Sequence, residues 1–224
     1  MTNTLHRFGS SESFRDDIVI FARTSRGKND KDCVPKLKRF LEMALKYNPV
    51  NLGDSAHGGA LRPKELTPSA HWSRGMELEY RTVIDGIDAP TNAVVVLNNL
   101  EAAEKFLKEV KEADLGLCVN MSTSLENAMA CSCAAGQPRH SLSYSLGFEG
   151  QTEKLPNTQV LMLTTMCGHS MVSANLAKKM IDWVKEGRRT PEEAAKYLSR
   201  FCSCGVYNPA RAERILEDAK KRTE

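Results

Sequence analysis

The chain has 224 residues, 41% of them apolar and 26% charged, and a net charge of +3. That length supports one substantial core, or one core with a helical appendage, and the composition excludes a wholly disordered chain. The charge balance is too mild for nucleic acid as a partner, because the local run Arg23, Arg26, Lys28, Lys31 is interleaved with Asp30 and Asp32.

Residues 1–13 carry no apolar stretch of the signal-peptide kind. Strongly apolar runs such as Val94–Leu97 are far below the ~20 residues of a membrane helix. The expectation is therefore a cytoplasmic protein with no membrane partner. Thiols stay reduced in that compartment, so the seven cysteines are read as buried fillers, ligands or nucleophiles and not as a disulfide framework.

In chain order, Asp17–Arg23 (DIVIFAR) reads as a buried strand, rich in β-branched residues. A helix is expected from about Asp32, with Val34, Leu37, Leu41 and Leu45 at helical spacing, and Asn48-Pro49 ends it. Val50–Gly53 follows as a strand and completes a first β-α-β unit. Residues 54–75 form a long loop with His57 and His71 and no periodicity, a kind of segment that is more often functional. Glu77–Ile84 is expected to return to strand. A second β-α-β unit comprises the strand Ala93–Leu97, a helix with Leu100, Ala103, Phe106, Leu107 and Val110 on one face, and the strand Gly116–Met121. The two helices share a faint echo, KRFLEMAL against EKFLKEV, too short to establish duplication.

A further helix is expected over Ser124–Ala135, ended by Gly136. Ser141–Phe148 alternates apolar and polar residues like a half-buried strand, and Val160–Thr165 reads as a strand running into Met166-Cys167-Gly168-His169. The rest is helical. Thr190-Pro191-Glu192-Glu193 and Asn208-Pro209 are strong helix starts. The expected fold is α/β, with α+β as the alternative. It has a mixed sheet of two β-α-β units (residues 1–165) and a three-helix C-terminal segment (residues 166–224) packed on it as one structural domain.

Five of the cysteines sort by local context. Cys33 and Cys118 are expected as buried fillers, at a helix start and within a strand. Cys131 and Cys133 lie two apart on a helix, so they point away from each other and cannot jointly chelate an ion there. Cys167 is expected at a strand-to-helix turn, where backbone N–H groups lower a thiol pKa and His169 assists, which makes this pair the candidate catalytic residues. Cys202 and Cys204 sit in a helix-to-helix loop with Gly205, their sulfurs free to point to one side. Helices of about 15 and about 11 residues, at ~1.5 Å per residue, would bring that loop back beside Cys167.

Three convergent thiolates suit a [4Fe–4S] cluster with one open iron, or zinc with His169 or water as the fourth ligand. They also suit a metal-free nucleophile at Cys167 resolved by Cys202 or Cys204. A third alternative is a non-catalytic binding protein with a structural metal. Arg23, Arg26 and Lys28, after the first strand, are candidate contacts for a small anionic substrate, with His57 in the long loop as a further one. Asp54 would meet His57 only if that loop folds back. No dinucleotide, nucleophile-elbow, zincin or kinase motif is present, and oligomeric state stays open.

Overall fold

A computed structural model describes residues 7–63, 75–143 and 145–221. Its strands are β1 (Ile18–Arg23), β2 (Asn51–Asp54), β3 (Gly58–Gly59), β4 (Leu61–Pro63), β5 (Gly75–Glu77), β6 (Asn92–Leu97) and β7 (Cys118–Ser122). The helices are α1 (Cys33–Ala44), α2 (Tyr80–Asp85), α3 (Leu100–Ala113), α4 (Leu125–Ala134), α5 (Thr158–Thr165), α6 (Ala174–Lys185), α7 (Pro191–Ser199) and α8 (Pro209–Lys221). Among the described residues no helix is long and apolar enough to cross a membrane.

The main sheet has five strands in the order β3-β2-β6-β1-β7, and every neighbouring pair is antiparallel. The chain mixes helix and strand as expected, but the sheet is not mixed in direction. β1 and β2 do run parallel, yet β6 lies between them; β6 and β7 run parallel with β1 between them. Each β-α-β unit is thus split and interleaved with the other. The faint sequence echo falls on equivalent helices of the two units. Phe40 of α1 and Phe106 of α3, matched within it, touch with ring centroids 5.2 Å apart.

Both faces of the sheet are covered, which is why β1 and β6 read as unbroken apolar runs. Ile18, Ile20, Ala22, Leu52, Ala93, Val95 and Leu97 pack with residues of α1, α2 and α3. Val19, Phe21, Val94 and Val96 face the opposite way, into a core shared with α5, α6, α7 and α8. Each large apolar side chain buried this way contributes about 1.5–3 kcal/mol.

Three segments depart from expectation. Residues 158–165 form a helix, not a strand: the Asn157 side chain caps it by accepting from Val160 N at 2.9 Å. Thr164 and Thr165 hydroxyls then bond back to the Val160 and Leu161 carbonyls. The described residues of the alternating stretch 141–148 form no strand, and Leu142, Leu146 and Phe148 stand 55%, 81% and 44% exposed. In Glu77–Ile84 only Glu77 is strand, and the helix α2 begins at Tyr80. The long loop holds β3 and β4 at its start, while residues 64–74, His71 among them, lie outside the described residues.

Candidate thiol site

The loop after α7 carries Cys202, Cys204 and Gly205. It is pinned from within by Cys202 N donating to Ser199 O and Gly205 N donating to Cys202 O, at 3.0 and 3.4 Å. Below it lies the β2–β3 hairpin, with glycine at 53, 58 and 59. A Cβ on Gly59 would stand 2.9 Å from Gly205 Cα, and one on Gly53 would stand 2.3 Å from Gly58 O. Gly205 itself has φ +73, a conformation that glycine adopts without strain. Backbone therefore packs on backbone, and Asn51 Nδ2 ties the hairpin to Tyr207 O at 2.9 Å.

Helices α6 and α7 bring this loop back to residue 167, and the three thiols meet in one core. Cys202 Sγ and Cys204 Sγ are 3.8 Å apart. Cys204 Sγ is 3.7 Å from His169 Nδ1, and Cys167 lies beside Cys202 in the same core. The sulfur-bearing residues are 1–2% exposed, whereas His169 is exposed, so the row reaches solvent at the imidazole end. Among the described residues no three His, Cys, Asp or Glu side chains stand arranged to hold a metal ion; the four groups here form a row and not a shell.

The row has an order of ionisation. Cys167 is pushed up, first because its thiol donates to Cys202 and then by burial. Cys202 accepts from Cys167, which lowers it, but its donation to Cys204 and its burial prevail and raise it. Cys204 accepts from Cys202 and is held below the ordinary thiol value, despite burial. The expectation of an activated Cys167 thus gives way to Cys204. The cause is the neighbouring Cys202 thiol together with burial, which outweigh the lowering by the backbone N–H groups of Met171 and His169.

The other candidates lie elsewhere. Arg23, Arg26 and Lys28 flank a surface turn whose amides are already occupied: Ser25 N donates to Asn29 Oδ1 and Gly27 N to Asp30 Oδ1, at 2.7 and 2.9 Å. The sheet is antiparallel, so the ligand-binding preference of parallel strand ends does not apply to it. His57 does meet Asp54, because the β2–β3 hairpin folds back; Nδ1 lies 3.2 Å from the fully buried Oδ2. Of the remaining cysteines, Cys33 and Cys131 are buried and Cys133 exposed, so the 131/133 pair points apart. Cys118, expected as buried filler, is exposed at the start of the edge strand β7. It lines a cavity of about 790 Å³ with Asn120, Leu125 and Leu142, at the sheet edge opposite the β2–β3 hairpin that carries the thiol loop.

The sequence reading missed an ionic cluster beside the thiols. Asp17, fully buried at the foot of β1, accepts from Arg7 Nη1 and Arg211 Nη1 at 2.5 and 2.7 Å, and from Asn208 Nδ2 at 3.0 Å. The signal was available: Arg211 precedes Ile215 by four, on the apolar stripe of α8. No family model, curated protein or solved structure matches the chain.

Proposed function

We propose that Cys167, Cys202 and Cys204 hold a single thiophilic metal ion, with His169 as the exposed and exchangeable fourth ligand. The supporting observation is the spacing. Ligands at Zn–S ≈ 2.3 Å and Zn–N ≈ 2.0–2.1 Å in a tetrahedron are separated by about 3.8 Å for S···S and about 3.6 Å for S···N. The Cys202–Cys204 and Cys204–His169 separations are 3.8 and 3.7 Å. Closing the row into a shell requires Cys167 to turn toward Cys204 once the S–H links are lost. Cysteines of a [4Fe–4S] cluster sit on different irons and stand wider apart, so the spacing favours one ion over a cluster.

Burial favours the metal reading over thiol redox chemistry. Reactive cysteines are partly exposed, whereas these are 1–2% exposed, as metal-bound sulfurs are. The second reading, a metal-free thiolate enzyme, rests on the lowered pKa of Cys204 beside the exposed His169, and it moves the nucleophile from Cys167 to Cys204. With an ion bound, displacement of His169 would open a Lewis-acid position on the solvent side, suited to a substrate with an anionic or carbonyl oxygen.

Elemental analysis and a visible spectrum of anaerobically prepared protein test this. One zinc-like ion per chain, lost in Cys202→Ser/Cys204→Ser, is expected; brown absorbance would replace the single ion with a cluster. Metal-free protein whose Cys204 alkylates rapidly near neutral pH would overturn the metal reading in favour of the second.

A further inference from the structure

Trp183 of α6 and Tyr197 of α7 are half-buried, and basic side chains crowd over both rings. Lys179 Nζ and the guanidinium carbons of Arg188 and Arg189 stand 4.8, 4.8 and 5.2 Å from the centre of the Trp183 ring. Arg189 also lies 5.2 Å from the centre of Tyr197, and Arg200 only 3.8 Å from it. One cation over an aromatic face is an ordinary attraction. Three around one indole are different, because a ring has two faces and at least two like charges must share one. Little neutralises them. Among the described residues Lys179, Arg189 and Arg200 make no ion pair, and the buried Arg200 Nε has no hydrogen-bond partner. The neighbouring carboxylates are engaged elsewhere: Glu192 and Glu77 with Lys196 at 3.2 and 3.3 Å, and Glu193 with the Thr190 amide at 2.9 Å. Glu186 meets Arg188 at 3.3 Å, but both are exposed and such a pair is readily exchanged.

We propose that this patch binds a compact polyphosphate, a small molecule carrying two or more linked phosphate groups, through Lys179, Arg188, Arg189 and Arg200. Stacking on a ring restricts a guanidinium group, so less freedom is lost when its N–H fork takes a pair of phosphate oxygens. Several negative charges in a small volume relieve the repulsion among all four cations at once, which a single carboxylate does not. Asp182, Glu186 and Glu192, exposed on the same two helices and the turn between them, repel an extended polyanion such as nucleic acid. Bases, moreover, find no open ring to stack on, because cations already cover both. The site is independent of any metal at Cys167, Cys202 and Cys204.

Isothermal titration with inorganic tripolyphosphate at about 0.15 M salt, where diffuse surface charge is screened, tests this. One ion per chain is expected, bound at least about tenfold more tightly than orthophosphate, since each added charge-assisted contact is worth about that factor. In a Trp72→Phe background the fluorescence reports Trp183 alone, and its emission is expected to shift as cations leave the ring for the phosphates. Arg189→Ala/Arg200→Ala is expected to weaken binding about 10–100-fold. Arg189→Lys/Arg200→Lys should lose less, because the charge is kept and only the fork is gone. Lys105→Ala/Lys108→Ala on α3, which removes the same charge from another exposed face, should change nothing. If Arg189→Ala/Arg200→Ala does not fold, Lys179→Ala/Arg188→Ala, at two exposed positions, is expected to show the loss instead. No binding of tripolyphosphate, or an equal loss in the α3 variant, overturns the site. A short thymidine oligonucleotide that displaces tripolyphosphate at lower concentration overturns the compact ligand in favour of nucleic acid.

Discussion

Asp17 is held ionised in a place where burial alone would protonate it. Desolvation raises its pKa, but Arg7, Arg211 and the Asn208 amide together outweigh that and set it below the ordinary carboxylate value. A folded-state pKa below the unfolded one means stability that is complete above the unfolded value and lost as pH falls toward the folded one. Asp17→Asn strands two buried guanidinium groups and is expected to cost about 3–5 kcal/mol at neutral pH. Denaturant midpoints of wild type and variant should converge as the pH is lowered from about 7 to below the unfolded aspartate value of about 3.9. A gap that stays constant over that range would exclude Asp17 as its source. Gly59 makes a second case at this scale. Gly59→Ala places a methyl 2.9 Å from Gly205 Cα, against backbone that cannot swing aside, and is expected to destabilise by about 1–3 kcal/mol in the same assay. Neither effect is visible in a local window. Asp17 meets its partner 194 residues away, and Gly59 looks like ordinary loop glycine until the loop above it is in place.

At the scale of elements, legibility followed periodicity and caps. Helices α1, α3, α6, α7 and α8 show apolar faces that a 3.6-residue period reveals, and the Thr190 capping box is formed as the sequence suggests. β1 and β6 are legible because layers on both sides make them apolar throughout. The helix α5 was not, because a short apolar run flanked by threonines fits a buried strand equally well; the deciding residue is the cap, Asn157. Asn157→Ala is expected to cost about 0.5–2 kcal/mol, a penalty a strand would not show. Helical far-UV signal and thermal midpoint of the variant check it. The convergence of Cys167, Cys202 and Cys204 follows from helix lengths and survives that misreading. The protonation order was not legible, because it depends on how the buried thiols meet one another.

For the molecule as a whole, the thiol site joins the C-terminal helices to the sheet through the β2–β3 hairpin. An ion bound only by the folded form should stabilise the whole by about 2.7 kcal/mol at a free concentration one hundred times its Kd. For a domain of this size that raises the melting temperature by about 5–10 °C. Calorimetry with and without a strong chelator measures it. The Cys202→Ser/Cys204→Ser variant should melt at the same temperature in both conditions, and a chelator effect persisting there would place the ion elsewhere.

The contacts from Asn208 and Arg211 to Asp17 bridge 191 and 194 positions of the chain. Such closures are slow, because the loop entropy is lost before the contact forms. β1 lies second from the sheet edge and needs α8 to neutralise its foot, so the two split units can pair early while one face of the sheet still waits for its cover. During that interval the three cysteines are accessible and unpaired, which makes refolding yield sensitive to oxidants in a way the finished molecule, with these cysteines 1–2% exposed, is not.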